Sequence, residues 1–479
     1  MVDNNNNHQI FYYIFAVVVG GIFQLLNIGL ISWLFLPERV GIFYLIILVT
    51  TFVMVVFSLG MDQAFAREFH EEENKQKLLL HSMMPGLIIL TTSTMLLFLF
   101  SPGFLSEAIT SIQSSTLSLL IICCLFIEFF IRFLSLQLRM QEESFAFSML
   151  QIAPRAIFFF LLWIIVWLDY SRSLSLLLYA HIISILITLA LAVFFSYRSY
   201  KPDKPSSDLT LDQALLKKLI IFGYPMIFTG LAMWLVNSMD KVFLRSSGQY
   251  DELALVSITM TFSMIATALS SIFNTIWMPF VYKWDARNFE VEILESILHY
   301  VAIFILIIVL LTMSFSWVLP YLFKEFYSDI QFLILGGLYG PFIYTLSEIT
   351  GVGIVLKRKT NYYLLISLCA SAASILAAWA LVPTLGAKGA FSCFMLSHLV
   401  FFLLRTHISM KMLLNLKVKE AYFFAISLFI FINSFIYFGH LLSSVAYGFL
   451  TILTLILMFL NRTKINDIKL IYKNVNIFD

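Results

Sequence analysis

IFYYIFAVVVGGIFQLLNIGLISWL, residues 10–34, runs from Ile10 to Leu34 without a charged side chain. Lipid offers no partner to backbone N–H and C=O groups, so crossing ~30 Å of hydrocarbon takes a helix of about 20 mostly apolar residues. This stretch meets that requirement. It follows a polar, Asn-rich start with no basic run, so it reads as a retained membrane helix and not as a cleaved signal.

The same pattern recurs along the chain, giving fourteen expected spans in all. Runs at 41–61, 78–100, 115–136, 145–167 and 173–195 complete a first set of six, and runs at 219–239, 253–280, 298–319, 331–356, 361–382 and 389–407 form a second. A last pair, at 420–438 and 443–460, is separated only by Gly439, His440 and their neighbours. Turns rich in Pro, Gly, Ser or charge divide the runs. Composition agrees: of 479 residues 61% are apolar and 12% charged, where a soluble domain carries about 25% charge. With a mean hydropathy of +0.92, an all-α polytopic integral membrane protein is expected.

Several function classes fall away on the same ground. A formal net charge of +2, with no basic and aromatic residues interleaved outside the apolar runs, excludes a nucleic-acid surface. Cys123, Cys124, Cys369 and Cys393 match neither a disulfide framework nor a zinc site and read as buried, inert thiols. No Walker A loop, metal-ligand cluster, nucleophile elbow or Ser–His–Asp spacing occurs, so no cofactor, no metal and no enzyme are expected.

With the N-terminus inside, about 22 Lys and Arg fall on the cytoplasmic side and about 6 outside, leaving Arg132 and Arg155 within spans. That bias places both ends in the cytoplasm. Trp33, Trp163, Trp167, Trp317 and Trp379 gather at outer helix ends and Trp284 at an inner one, as an interfacial belt would. The longest polar stretch, SYRSYKPDKPSSDLTLDQALLKK (196–218), has Pro202 and Pro205 and then a helix start capped by Asp208 or Thr210. The expected domains are therefore a first six-helix lobe at 1–196, a cytoplasmic linker at 197–218, a second lobe at 219–407, and an added helix pair with a tail at 408–479. A shift of 220 residues lays Glu128 on Glu348, Leu136 on Leu356 and Arg139 on Lys359, consistent with a parallel repeat.

Ionisable groups inside a span cost at least ~2.5–3.5 kcal/mol at the bilayer centre, so they normally face a cavity or a partner. Arg155 follows Pro154 near the midplane of the fifth span, which points to a wet, anion-accepting cavity or to an acid on a neighbouring helix. Glu128 and Arg132 stand at i, i+4, where a self-contained pair forms; if Glu128 turns to Arg155, Arg132 is left for ligand. Asp62 and Arg67 read as interfacial anchors. Asp240 and Lys241 end the seventh span and, being adjacent, point to different faces. Glu348 has no base at i±4 and is protonated, paired from another helix, or a proton site. His181 and His398 read as core groups.

Five segments together resemble the Wzx-type flippases of the multidrug/oligosaccharidyl-lipid/polysaccharide exporter superfamily. They are LPERVGIFYLIILV (36–49), SLGMDQAFAREFHEE (58–72), FGYPMIFTGLAMWLVNSMDKVFL (222–244), IWMPFVYKW (276–284) and LVPTLGAKGA (381–390). The resemblance implies two six-helix lobes around a central cavity, working by alternating access without ATP in the cell inner membrane. The implied substrate is a polyprenyl-diphosphate-linked oligosaccharide, an O-antigen repeat unit, turned from the cytoplasmic to the periplasmic leaflet. Arg67, Arg132 and Arg155 are the implied cavity bases, and Lys241 is a further cavity candidate by its own position. Glu128, Glu348, Asp62 and Asp240 are the coupling or structural acids. Polysaccharide polymerase and chain-length machinery are the implied protein partners, membrane lipid surrounds the chain, and H+ or Na+ is the coupling ion where one is used. Two alternatives remain open at this point: a cation-coupled drug exporter of the same superfamily, and a membrane-embedded polymerase or glycosyltransferase.

Overall fold

Apolar side chains that cannot all be buried against one another leave long helices as the economical solution, and the computed structural model is built of them. It describes residues 2–168, 172–199, 212–287, 291–357, 359, 361–413 and 418–442, among which no strand occurs. Among the described residues, twelve helices are long and apolar enough to cross a membrane by length and composition. The fourteenth expected span, 443–460, and most of the linker at 200–211 lie outside the described residues.

One compact unit comprises residues 1–238 and 250–254. Its helices are α1 (Val2–Leu34), α2 (Pro37–Phe57), α3 (Met61–Glu68), α4 (Lys75–Phe100), α5 (Phe104–Thr110), α6 (Ser115–Met140), α7 (Ser144–Trp167) and α8 (Leu174–Ser199). The larger part of α9 (Gln213–Ser246) belongs to it as well. Helix α1 packs along α7, and α8 lies against α6 and α7. Between α2 and α3 the chain turns through Leu59 (φ 52°) and Gly60 (φ 66°). Gly60 lies so close to Gly223 of α9 that a Cβ there would collide with the Gly223 carbonyl.

The second unit comprises residues 239–249 and 255–479. It contains most of α10 (Tyr250–Arg287), then α11 (Val291–Phe315), α12 (Leu319–Leu322), α13 (Ile330–Thr350), α14 (Val352–Leu356), α15 (Asn361–Leu413) and α16 (Lys419–Phe438). Helix α13 is its axle, packed by α11, α15 and α16 and buried along most of its length. Helix α15 has 53 residues and is interrupted at Gly386 (φ 54°, ψ −131°), which only glycine adopts readily. The spans expected at 361–382 and 389–407 are the two limbs on either side of that bend.

Several local expectations need correction. Helix α9 is capped by Asp212, not by Asp208 or Thr210: its Oδ1 accepts the Ala214 and Leu215 N–H groups at 3.0 and 3.1 Å. Cys123 and Cys369 are exposed on the outer faces of their helices, while Cys124 and Cys393 are buried. Trp33, Trp163, Trp167, Trp317 and Trp379 are about half exposed or more, and the Trp284 side chain lies outside the described residues.

Candidate functional site

Helix α7 must carry Arg155 through apolar surroundings, and its neighbours are cut to admit it. Gly20 of α1 leaves the space the guanidinium fills, since a Cβ there would lie 2.6 Å from Arg155 Nη1. The guanidinium donates to the Gln151 carbonyl at 3.4 Å, and no acid among the described residues lies within ion-pair distance. Asn27 Nδ2 donates to the Arg155 carbonyl at 2.9 Å, which fixes the amide and leaves Asn27 Oδ1 buried without a hydrogen bond. A cavity of about 100 Å³ opens beside these groups, lined also by Gln24, Tyr44, Pro154 and His181. His181 stands edge-on to Phe43 and Phe158, at 5.5 and 5.9 Å.

Arg132 does not pair with Glu128 along α6. Its Nη2 reaches Asp62 Oδ2 on α3 at 2.6 Å, because a close carboxylate at the start of α3 offers a shorter bond than the flexible i, i+4 alternative. Asp62 is buried (6% exposed) and tied to Arg132; the Arg132 side chain remains 40% exposed, and its other N–H groups make no hydrogen bond among the described residues. Glu128 has no ion-pair partner among the described residues. Arg67 is exposed and lies over the Phe222 ring, 4.5 Å from its centroid, with Glu68 Oε1 at 3.9 Å.

The polar ends of α3, α4 and α9 are tied together. Lys218 bridges Glu68 and Glu71, the latter at 3.2 Å, and Lys77 meets Asp212 at 2.9 Å. Lys77 and the α9 backbone N–H groups hold the Asp212 carboxyl at about 2, well below the usual range, and Lys218 lowers that of Glu71. The Asp212 N–H donates to His81 Nε2 at 2.9 Å, so His81 carries its proton on Nδ1, facing the Lys77 carbonyl at 2.7 Å.

In the second unit, Lys241 and Asp240 are not separated: Nζ lies 3.4 and 3.3 Å from the two carboxylate oxygens, because the long lysine stem curls back onto its neighbour. Glu348 is paired from another helix. Arg405 of α15 holds it at 2.8 and 2.9 Å and also donates to Ser347 and the Tyr363 hydroxyl. Arg405 escaped the sequence reading; at the inner end of the expected span 389–407 it looks like one more interfacial cation. His398 is a core group whose Nδ1 faces the Phe394 carbonyl at 2.9 Å. No group of three or more His, Cys, Asp or Glu able to hold a metal occurs among the described residues.

Among proteins of curated function, none matches this sequence. The fold is that of the multidrug/oligosaccharidyl-lipid/polysaccharide exporter superfamily. An inward closed structure of the lipid II flippase MurJ aligns over 90% of this chain and 99% of its own, with a TM-score of 0.62 at 13% identity. An inward-facing multidrug resistance MATE transporter aligns over 83% of this chain and 97% of its own, with a TM-score of 0.56 at 16% identity. The family described as "Polysaccharide biosynthesis protein" matches residues 8–282, more than half of the chain. This multi-pass membrane protein therefore belongs to the polysaccharide biosynthesis protein family.

Proposed function

We infer that the chain is a flippase for a polyprenyl-diphosphate-linked oligosaccharide, such as an O-antigen repeat unit, working by alternating access in the inner membrane with both termini cytoplasmic. One observation carries the reading: Arg132 is held by Asp62 and still keeps most of its donors open. Asp62, Asp240 and Glu348 each face a base, and Arg155 and Glu128 have no ion-pair partner among the described residues. A positioned guanidinium with open donors suits an anionic head group. A cation-coupled drug exporter would need unpaired carboxylates, of which Glu128 alone remains among these acids.

Arg132 and Arg67 are the head-group contacts in this reading, the first held by Asp62 and the second steadied by Phe222. Residues 1–196 and 219–407 would act as the two lobes, joined by 197–218, with 408–479 adding a helix pair. A sugar loses roughly 1–3 kcal/mol per unpaired hydroxyl on leaving water, a barrier a polar path removes while the polyprenyl tail stays in lipid. An interior-negative membrane favours outward movement of the diphosphate by about 2.3 kcal/mol per charge per 100 mV. No ion gradient is required by that arithmetic.

The test is deletion of the gene followed by extraction of polyprenyl-linked sugars, scored by amount and leaflet, with complementation by wild type or Arg132→Gln. Complete units trapped on the cytoplasmic side, with surface glycan lost and Arg132→Gln failing to restore it, is the expected result. Unchanged glycan would overturn the reading in favour of drug export. Outward-facing single units that fail to polymerise would overturn it in favour of an enzyme.

A further inference from the structure

Helices α11 and α16 both pack on α13 and touch each other only lightly, so a groove of about 460 Å³ stays open between them. Leu346 of α13 is its buried floor. It follows α11 from Glu295 to Leu306 and α16 from Glu420 to Ser427, the first parts of two helices that start at the same end. Polar groups gather at that end: Glu295, the exposed His299 and the exposed Glu420. Ser427 aside, the deeper wall is apolar, and no lysine or arginine is among the described lining residues. The preference for acids at helix starts accounts for Glu420, in the first turn of α16. It does not account for Glu295 and His299, which lie in the second and third turns of α11.

Length, size and charge each remove a class of occupant. From Glu295 to Leu306 the groove runs about 16 Å at 1.5 Å per residue, roughly half of the ~30 Å of hydrocarbon. A helix of another membrane protein would need the full thickness, whereas one lipid of one leaflet fits. The volume of about 460 Å³ lies within the roughly 300–1,000 Å³ typical of organic-ligand sites. Acids at the mouth repel an anionic head group, the diphosphate of the proposed cargo among them. A trimethylammonium head group brings the right charge but no N–H, and carboxylates and an imidazole nitrogen are acceptors that call for N–H donors.

We propose that this groove holds one glycerophospholipid whose head group ends in a primary ammonium, a structural lipid and not cargo. Its ammonium lies at Glu295, His299 and Glu420, and one acyl chain runs along Leu306 and Phe424. By the orientation inferred above it belongs to the cytoplasmic leaflet. The head-group choice itself rests neither on that orientation nor on the identity of the cargo.

Native mass spectrometry of the full-length protein, released from nanodiscs holding equal phosphatidylethanolamine, phosphatidylcholine and phosphatidylglycerol with matched chains, tests this. One phosphatidylethanolamine retained per chain, in preference to the other two, is expected. Removing both charged acceptors with Glu295→Gln and Glu420→Gln should lower that preference at least about tenfold. Glu420→Gln alone, at an exposed position, should carry part of the loss if the double variant does not reach the membrane. Ala302→Phe, which fills the groove and keeps the acids, should lower retention of all three lipids. Equal retention of the three by the wild type, a tighter hold on phosphatidylglycerol, or an unchanged preference in the glutamine variants would sink the proposal. Displacement by tetraphenylphosphonium, a lipophilic cation without N–H, would overturn it in favour of a cation-export path. Displacement by farnesyl phosphate would overturn it in favour of the cargo's own tail.

Discussion

Arg405 grips Glu348 through both terminal guanidinium nitrogens, at 2.8 and 2.9 Å, with the cation 2% exposed and the acid 5% exposed. Gly351 of the same unit is bare where the guanidinium lies, so the pair is built into the packing of α13 and α15. Removing the cation alone strands a buried carboxylate, which costs about 3–5 kcal/mol. Arg405→Met should therefore lower the thermal midpoint of the purified protein sharply. The double variant Arg405→Met with Glu348→Gln should recover most of the loss, because it leaves no uncompensated charge. Equal midpoints for the single and the double variant would show that the pair acts through shape alone.

That pair marks where sequence reading stops. Span positions follow from the lengths of apolar runs, which is why α2, α4, α6, α7 and α8 lie close to where hydropathy puts them. Partners across a bundle depend on helix rotation and depth, which hydropathy does not encode. Glu128 and Arg132 had the right spacing for a helical pair, yet Arg132 took Asp62, because α3 folds back beside α6 after the Leu59–Gly60 turn. Arg155 was legible as an intramembrane cation, but its companions Gly20 and Asn27 lie more than a hundred residues away, on α1. Nothing in a single sequence joins them.

Asp212 gives a pH dependence whose sign can be worked out. Its carboxyl is held at about 2 in the fold, mainly by Lys77, against an ordinary value of 3.8. A lowered acid adds stability that is present above about 3.8 and is lost as the pH falls toward 2. The α9 start should therefore loosen in that window, seen as faster amide exchange at Ala214 and Leu215. Asp212→Asn should remove the pH dependence but keep the cap, since asparagine accepts the same N–H groups. Asp212→Ala should loosen the helix start at every pH.

Gly60 should be the least replaceable small residue of the first unit. Alanine there would hold φ near 66°, a conformation costing a non-glycine residue about 1–3 kcal/mol, and would also press its Cβ into the Gly223 carbonyl. Gly60→Ala should reduce the amount of folded protein in membranes. Gly21→Ala, where nothing lies within 4 Å of the added carbon, should leave it unchanged. A Gly60→Ala protein with wild-type abundance and thermal midpoint would mean the two helices separate freely at this crossing.

The bend at Gly386 sets which side of the membrane the end of α15 reaches. At about 1.5 Å per residue, 53 residues would extend some 80 Å as a straight helix, more than twice the ~30 Å of hydrocarbon. Two crossings joined at Gly386 resolve that excess, so Lys359 and Lys411 should lie on one side and Gly386 on the other. Replacing Cys123, Cys124, Cys369 and Cys393 with serine clears the background for single cysteines at 359, 384 and 411, the exposed Thr384 standing next to the bend. An impermeant thiol reagent added to intact spheroplasts should label position 384 and spare 359 and 411, and the pattern should invert in inside-out vesicles. Labelling of 359 and 411 from opposite sides would mean that α15 crosses only once, and the inner placement of Lys411 and of every charge after it would then have to be reversed.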